Sequence, residues 1–265
     1  MKRLNPFAKK PPVVAVVRLQ GMIAAGNRGQ LNDASLAPVL ERAFAKGKPA
    51  AVALQINSPG GSPVQSSLIG SRIRRLAAEK GIPVLAFVED VAASGGYWLA
   101  TAADEIYADE SSVVGSIGVI SAGFGANVLL SRQGVERRVY TAGESKSMLD
   151  PFKPENPEDV ARLKRMLTQI HDTFITHVKS RRAGKLQEDP ELFSGEIWIG
   201  AKAKEVGLID EIGHLVPVLK DRFGEKVKFR RYGVKRSMWQ RFGASFAQDA
   251  LAGVEERALY ARFGL

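Results

Sequence analysis

Val91-Ala92-Ala93-Ser94-Gly95-Gly96-Tyr97-Trp98 follows the apolar run Val84-Leu85-Ala86-Phe87-Val88 and leads into a helical pattern. A hydroxyl at such a strand-to-helix junction stands at the mouth of a sheet. The two glycines let another backbone approach, and the helix N-terminus favours developing negative charge. Serine is also among the best helix N-caps, so taken alone Ser94 is more often a cap than a nucleophile. The flanking segments change that balance.

Working outward, residues 13–19 form a β-branched run, 35–45 carry helical spacing after the cap candidates Asn32 and Asp33, and 51–56 repeat the buried-strand pattern. The alternation continues with a helix over 63–78, a strand over 83–88, a helix over 95–103 and strands over 105–108 and 117–120. A helix over 124–132, a strand over 137–141 and a long charged helix over 157–181 follow. Strands alternating with helices give an α/β fold, and strands without clean polar alternation are buried on both faces. Ligands in such folds sit at the carboxyl ends of strands. Both glycine-rich turns, Asn57-Ser58-Pro59-Gly60-Gly61-Ser62 and Ala93-Ser94-Gly95-Gly96, lie there and are expected to face one another.

The chain has 265 residues, 45% of them hydrophobic, which is enough for one large core and excludes disorder throughout. It has no cysteine, so disulfides and thiolate zinc sites are excluded, and no metal or cofactor site is expected. The expected partition is a basic flexible N-terminus (1–12), one catalytic domain (13–224) and a basic amphipathic extension (225–265). No apolar run is long enough for a signal peptide or membrane span. The formal charge of +10 gathers at the two ends. No nucleic-acid-binding motif accompanies it, so contact with an anionic membrane surface is favoured over specific nucleic-acid binding. In the extension Met238, Phe242, Phe246, Ala250 and Val254 recur at four-residue intervals, as on an interfacial helix or one docked on its own core or on a sister subunit.

A serine nucleophile needs a base. His171 and His177 fall in the long charged helix and His214 follows a glycine-bounded segment, contexts that suit structural roles. A lysine can serve when desolvation lowers its pKa toward the working pH. Lys146, in Thr141-Ala142-Gly143-Glu144-Ser145-Lys146-Ser147-Met148-Leu149-Asp150, is the candidate, although most lysines are simply surface groups.

Asn57 to Gly61, Val91 to Trp98, Val114-Gly115-Ser116-Ile117-Gly118-Val119, Gly143 to Asp150 and Phe193-Ser194-Gly195-Glu196-Ile197-Trp198-Ile199-Gly200, running on to Gly207-Leu208-Ile209-Asp210 and Gly213, resemble the signal peptide peptidase A family in order and spacing. The resemblance covers about residues 13 to 223. It implies a serine protease with a Ser-Lys dyad on a crotonase or Clp protease-like fold of repeated β-β-α or β-α-β units, with a basic C-terminal helical tail. By position it implies Ser94 as nucleophile, Lys146 as general base and Ser116 as the serine that orients the lysine. The backbone N–H groups of Gly95 and Gly61 would form the oxyanion hole, with Gly60 the alternative to Gly61.

The resemblance also implies extended apolar peptides as substrates, such as signal-peptide remnants or membrane-protein fragments. It implies a homo-oligomer, an octameric ring in which neighbouring subunits share a site. The usual membrane anchor and tandem second domain are missing from the pattern, so a cytoplasmic location or a peripheral one on the cytoplasmic membrane face is expected. Rival readings are a crotonase-like acyl-CoA enzyme, a non-catalytic membrane-associated scaffold, and a Ser-His-Asp peptidase of the Clp type.

Overall fold

The computed structural model describes residues 11–26, 30–143, 145–233, 257 and 260–265. The stripe from Met238 to Val254 and the N-terminal ten residues lie outside them.

Strands β1 (Val13–Gln20), β2 (Ala51–Ser58) and β3 (Val84–Ala93) form the parallel centre of an eight-stranded sheet. Its path runs β6 (Ile197–Ile199), β5 (Val113–Gly115), β3, β2, β1, β8 (Lys228–Tyr232), while β4 (Glu105–Ala108) pairs with β3 and with β7 (Glu211–Ile212). Every pairing is parallel except β5 with β6. The α/β class expected from the alternation is the one observed.

The central strands bury both faces. Val17, Leu19, Leu54, Ile56, Ala86 and Val88 face a core shared with α1 (Asp33–Ala45), α2 (Pro63–Lys80), α3 (Gly95–Ala100) and the C-terminal half of α5 (Pro157–Arg181). Val14, Val16, Ala53, Leu85 and Phe87 face the other way, under Leu219 of α7 (Leu215–Phe223). Local chemistry sets the helix starts. Asn32 caps α1 through its side chain at 2.9 Å from the Ser35 N–H, and Ser62 caps α2, with Pro63 in the first turn where its missing N–H costs nothing. Arg72 ties the two helices together through both carboxylate oxygens of Asp33, each at 2.7 Å.

Strand β3 changes partner midway, pairing with β4 over Leu85–Val88 and with β5 over Val91–Ala93. The change falls at the half-buried Glu89 and exposed Asp90, and it delivers Ser94 to the junction of β3, β5 and α3.

Several expected elements differ. The strand expected at 117–120 lies earlier, at Val113–Gly115, because Gly115 and Ser116 take positive φ of 92° and 49° and turn the chain out of the ladder. Residues 137–141 form no strand; all but the half-buried Val139 are exposed, and among the described residues no neighbouring strand meets their backbone. Helix α4 (Asn127–Arg132) begins three residues later than expected and buries none of its side chains. Helix α3 ends at Ala100 rather than 103. The sheet also continues past the boundary expected after residue 224, since β8 pairs with β1 from Val13 to Val17. Among the described residues, no helix is long and apolar enough to cross a membrane.

Candidate active site

Ser94 occupies the helix N-cap position but does not cap: its side chain accepts no hydrogen bond from α3. Its backbone instead adopts φ 51° and ψ −121°, a conformation costing a non-glycine residue about 1–3 kcal/mol and found where surrounding structure enforces it. Here the Ser94 N–H donates to the Gly115 carbonyl at 2.8 Å and the Trp98 N–H donates to the Ser94 carbonyl at 3.0 Å. The side chain is half-buried, and its hydroxyl bonds to nothing among the described residues.

The two glycine turns interlock. A Cβ on Gly60 would stand 2.7 Å from the Gly95 nitrogen and 2.9 Å from the Ser94 Cβ, and one on Gly96 would stand 2.3 Å from the Ser58 carbonyl oxygen. Gly61, at φ 135°, sits in a parallel bridge to Ile23, in which the Ile23 N–H donates to the Gly60 carbonyl at 2.8 Å and the Ser62 N–H to the Ile23 carbonyl at 2.7 Å. In a parallel bridge the residue between those two bonds points its own N–H the other way. The Gly61 nitrogen lies 3.4 Å from where a Cβ on Gly95 would stand, so the backbones of the two glycine turns lie side by side at the turn that carries Ser94.

Sequence reasoning passed over the residues beneath these turns. Ser58 is buried and donates to the Gly21 carbonyl at 2.7 Å; Ser66 is buried, donates to the Ser62 carbonyl at 2.9 Å and packs against Gly95. A second brace holds α3 from behind. The Tyr97 hydroxyl donates to the Leu208 carbonyl at 2.7 Å, and the buried Arg182 donates to the Gly207 carbonyl and to Asp210 Oδ2 at 2.7 Å. Burial alone would raise the Asp210 carboxyl, but the bonds from Arg182 and Lys185 outweigh it and hold the group below its ordinary value. The Gly207-Leu208-Ile209-Asp210 motif is thus a strut for the helix that follows Ser94.

Ser116, the expected lysine-orienting residue, follows directly on Gly115, whose carbonyl receives the Ser94 N–H. It is half-buried at φ 49°, its hydroxyl without a partner among the described residues. Lys146 lies in a turn and is exposed, and no hydrogen bond joins it to Ser94 or Ser116 within the chain. The segment that precedes it in the chain exposes large apolar side chains, Phe124 at 94% and Tyr140 at 89%, with Ile120, Val128, Leu129 and Val135 also more than half exposed.

The histidines hold other posts. His177 stacks on Trp98 with ring centroids 4.0 Å apart and shares a 2.9 Å hydrogen bond with Thr101; burial, then the nearby Arg181 charge, lowers its pKa to about 4. His171 donates to the Ile117 carbonyl at 2.9 Å, and His214 meets Asp109 at 2.7 Å. None bonds to Ser94. Among the described residues, no group of His, Asp and Glu side chains is placed to hold a metal ion. Surface depressions of about 650 and 360 Å³ lie on α1 and at the end of α5, and neither includes Ser94 or the glycine turns.

The model of peptidase family S49 matches residues 77–224. The Na(+)/H(+) antiporter NhaA of Brucella melitensis biotype 1 is 49% identical across 100% of this chain, which spans 39% of that protein. The chloroplastic serine protease SPPA of Arabidopsis thaliana is 31% identical over 76% of the chain, which spans 31% of it. The chain thus covers well under half of these relatives' own length. A solved structure of the membrane-bound stomatin-specific protease 1510-N, a lysine-to-alanine variant with a substrate peptide, matches 92% of this chain and 98% of its own at a TM-score of 0.53 and 14% identity, which is a likeness of fold.

Proposed function

The chain belongs to peptidase family S49, the family of signal peptide peptidase A, and on that premise we propose that it is a serine endopeptidase working through a Ser94-Lys146 dyad. The observation that carries this reading is the geometry at Ser94: a strained, non-capping serine against which the Gly60-Gly61 turn packs closely.

The chemistry follows from that placement. Neutral Lys146 Nζ takes the Ser94 Oγ proton as Oγ adds to the peptide carbonyl carbon. The Gly61 and Gly95 N–H groups stabilise the oxyanion, a contribution of about 3 kcal/mol per donor in comparable enzymes. Collapse breaks the C–N bond, and the leaving amine takes the proton back from Lys146. Water, giving a proton to the neutral Lys146 Nζ, then adds to the acyl-enzyme carbonyl; collapse breaks the bond to Ser94 Oγ, which takes that proton back as the carboxylic acid product leaves. An open site between two turns suits an extended peptide with apolar side chains.

A lysine base must be desolvated, whereas Lys146 is exposed in the single chain. The apolar side chains exposed in the segment before it support a homo-oligomer in which a neighbouring copy covers this segment; we take it to be an octameric ring in which one copy's Lys146 serves another's Ser94, with Ser116 orienting the amine. The charge of +10 supports peripheral contact with the anionic cytoplasmic face of a membrane. So does the occurrence of a similar segment within a Brucella protein named as an antiporter.

The test is hydrolysis of a short apolar fluorogenic peptide by wild-type and Ser94→Ala proteins matched for folding and assembly. Cleavage abolished by Ser94→Ala supports the reading. Cleavage that survives it, or acyl-CoA turnover without peptidase activity, overturns it.

A further inference from the structure

The loop that carries Ser116 is held by its neighbours at every step. Gly115 and Ser116 take φ of 92° and 49°, and the second is a left-handed conformation that a serine keeps only where its surroundings enforce it. The enforcing contacts come from β6, the residues before it, and α5. The Ser116 N–H donates to the Glu196 carbonyl at 2.8 Å, His171 donates to the Ile117 carbonyl at 2.9 Å, and a Cβ on Gly118 would stand 3.1 Å from the Gly195 Cα.

Trp198 packs against the same loop. On β6 it stands opposite Val114, buried at 6% exposure while its neighbours Ile197 and Ile199 are exposed. A Cβ on Gly115 would be 2.7 Å from Trp198 Cδ1, so the five-membered edge of the indole lies against the Gly115 backbone. The N–H beside that edge finds no hydrogen-bond partner among the described residues, although a buried indole ordinarily has one. Shape, then, is what the indole supplies here. A rigid ring packed in the core fixes how far Gly115 can sink, whereas the hydrogen bonds of the loop can follow a tilt.

Two parts of the site hang on Gly115. Its carbonyl receives the Ser94 N–H, and Ser116 follows it directly. We propose that Trp198 is a positioning residue: its indole, set against Gly115, holds Ser116 in the left-handed conformation from which the serine hydroxyl orients the lysine amine. A flexible side chain at 198 lets the loop sink and relax, carrying that hydroxyl away from the amine. A displacement of about 1 Å in such a site costs about 10²-fold in rate. The proposal rests on the Ser94-Lys146 reading.

The test compares Trp198→Phe with Trp198→Met, two apolar side chains of similar volume, the first rigid and flat and the second flexible. Peptide hydrolysis, measured per folded and assembled enzyme, should keep kcat within about threefold of wild type for Trp198→Phe and lose about 10²-fold for Trp198→Met, with KM changed by less than about twofold in both. In a Ser116→Ala background the Trp198→Met change should cost less than about threefold, because the group it acts through is gone. Equal kcat for the two Trp198 variants overturns the proposal, and so does a Trp198→Met loss that is as large without the Ser116 hydroxyl as with it. If the wild type cleaves no peptide, the dyad reading fails first; if Ser116→Ala is as fast as wild type, the role given to Ser116 fails first. In either case hydrogen exchange of the Ser116 amide decides separately. Exchange at least about tenfold faster in Trp198→Met than in Trp198→Phe supports the positioning, and equal exchange refutes it.

Discussion

Replacing Gly61 with alanine tests the oxyanion turn at its tightest point. The new Cβ would stand 2.0 Å from the Ile23 carbonyl oxygen, a backbone atom that no rotamer change can clear, and the residue would have to keep φ 135°. Forcing that conformation on a residue with a Cβ costs about 1–3 kcal/mol. Relieving the clash by shifting the turn weakens the Ile23-to-Gly60 and Ser62-to-Ile23 hydrogen bonds, at about 1 kcal/mol each. The variant should therefore lose about 3–5 kcal/mol of stability. Where it stays folded, the displaced N–H should lower kcat by about 10²–10³-fold. The reference is Gly81→Ala, also at positive φ (61°) but with nothing within 4 Å of the new methyl, for which about 1 kcal/mol and no loss of kcat are expected. Urea denaturation and peptide hydrolysis on both variants provide the assay. If Gly61→Ala matches Gly81→Ala in both stability and turnover, the reasoning about this turn is refuted.

Three further predictions concern the supports of the site. Because His177 is held near pKa 4 in the fold against an ordinary 6.5, the unfolded chain binds its proton first. Stability is then full above pH 6.5 and falls as the pH drops from 6.5 to 4, by about 2 kcal/mol once partial exposure is allowed for. His177→Phe, which keeps a ring against Trp98, should flatten that slope in pH-resolved denaturation. Asp210→Asn leaves Arg182, 2% exposed, without its carboxylate and should cost about 3–5 kcal/mol by thermal denaturation; a loss under 1 kcal/mol would show that the strut carries little. Phe124→Glu with Tyr140→Glu should leave the fold of the single chain within about 0.5 kcal/mol, since both side chains are exposed. The pair should nonetheless reduce the assembled mass in sedimentation and the activity with it.

The features legible in the sequence were those fixed by local chemistry. The helices expected to start at 63 and 157 start there, and the structure adds the caps, Ser62 before Pro63 and Asn156 before Pro157. The glycine turns were legible because only glycine tolerates the approach of Gly60 to Ser94 and of Gly96 to Ser58. What escaped was set by distant partners. The run at 137–141 has strand composition but no neighbour to receive its hydrogen bonds. β6, β7 and β8 are two to five residues long and exist because β5, β4 and β1 offer free edges. The end of β5 escaped because Ser116, a residue with no glycine-like freedom, turns the chain there. Ser94 was legible as a candidate, but its use as something other than a cap rests on a backbone angle that composition does not encode.

The central claim is a Ser94-Lys146 dyad shared between copies of the chain, and mixing two inactive proteins tests it most directly. Ser94→Ala and Lys146→Ala proteins, each folded and assembled, should be inert alone on the fluorogenic peptide. Dissociated together and reassembled, they should recover about a quarter of wild-type activity, because a random ring pairs an intact serine with a neighbour's intact lysine at about one site in four. A mixture that remains inert despite verified mixed assembly, or a Lys146→Ala protein that cleaves by itself, would contradict the account.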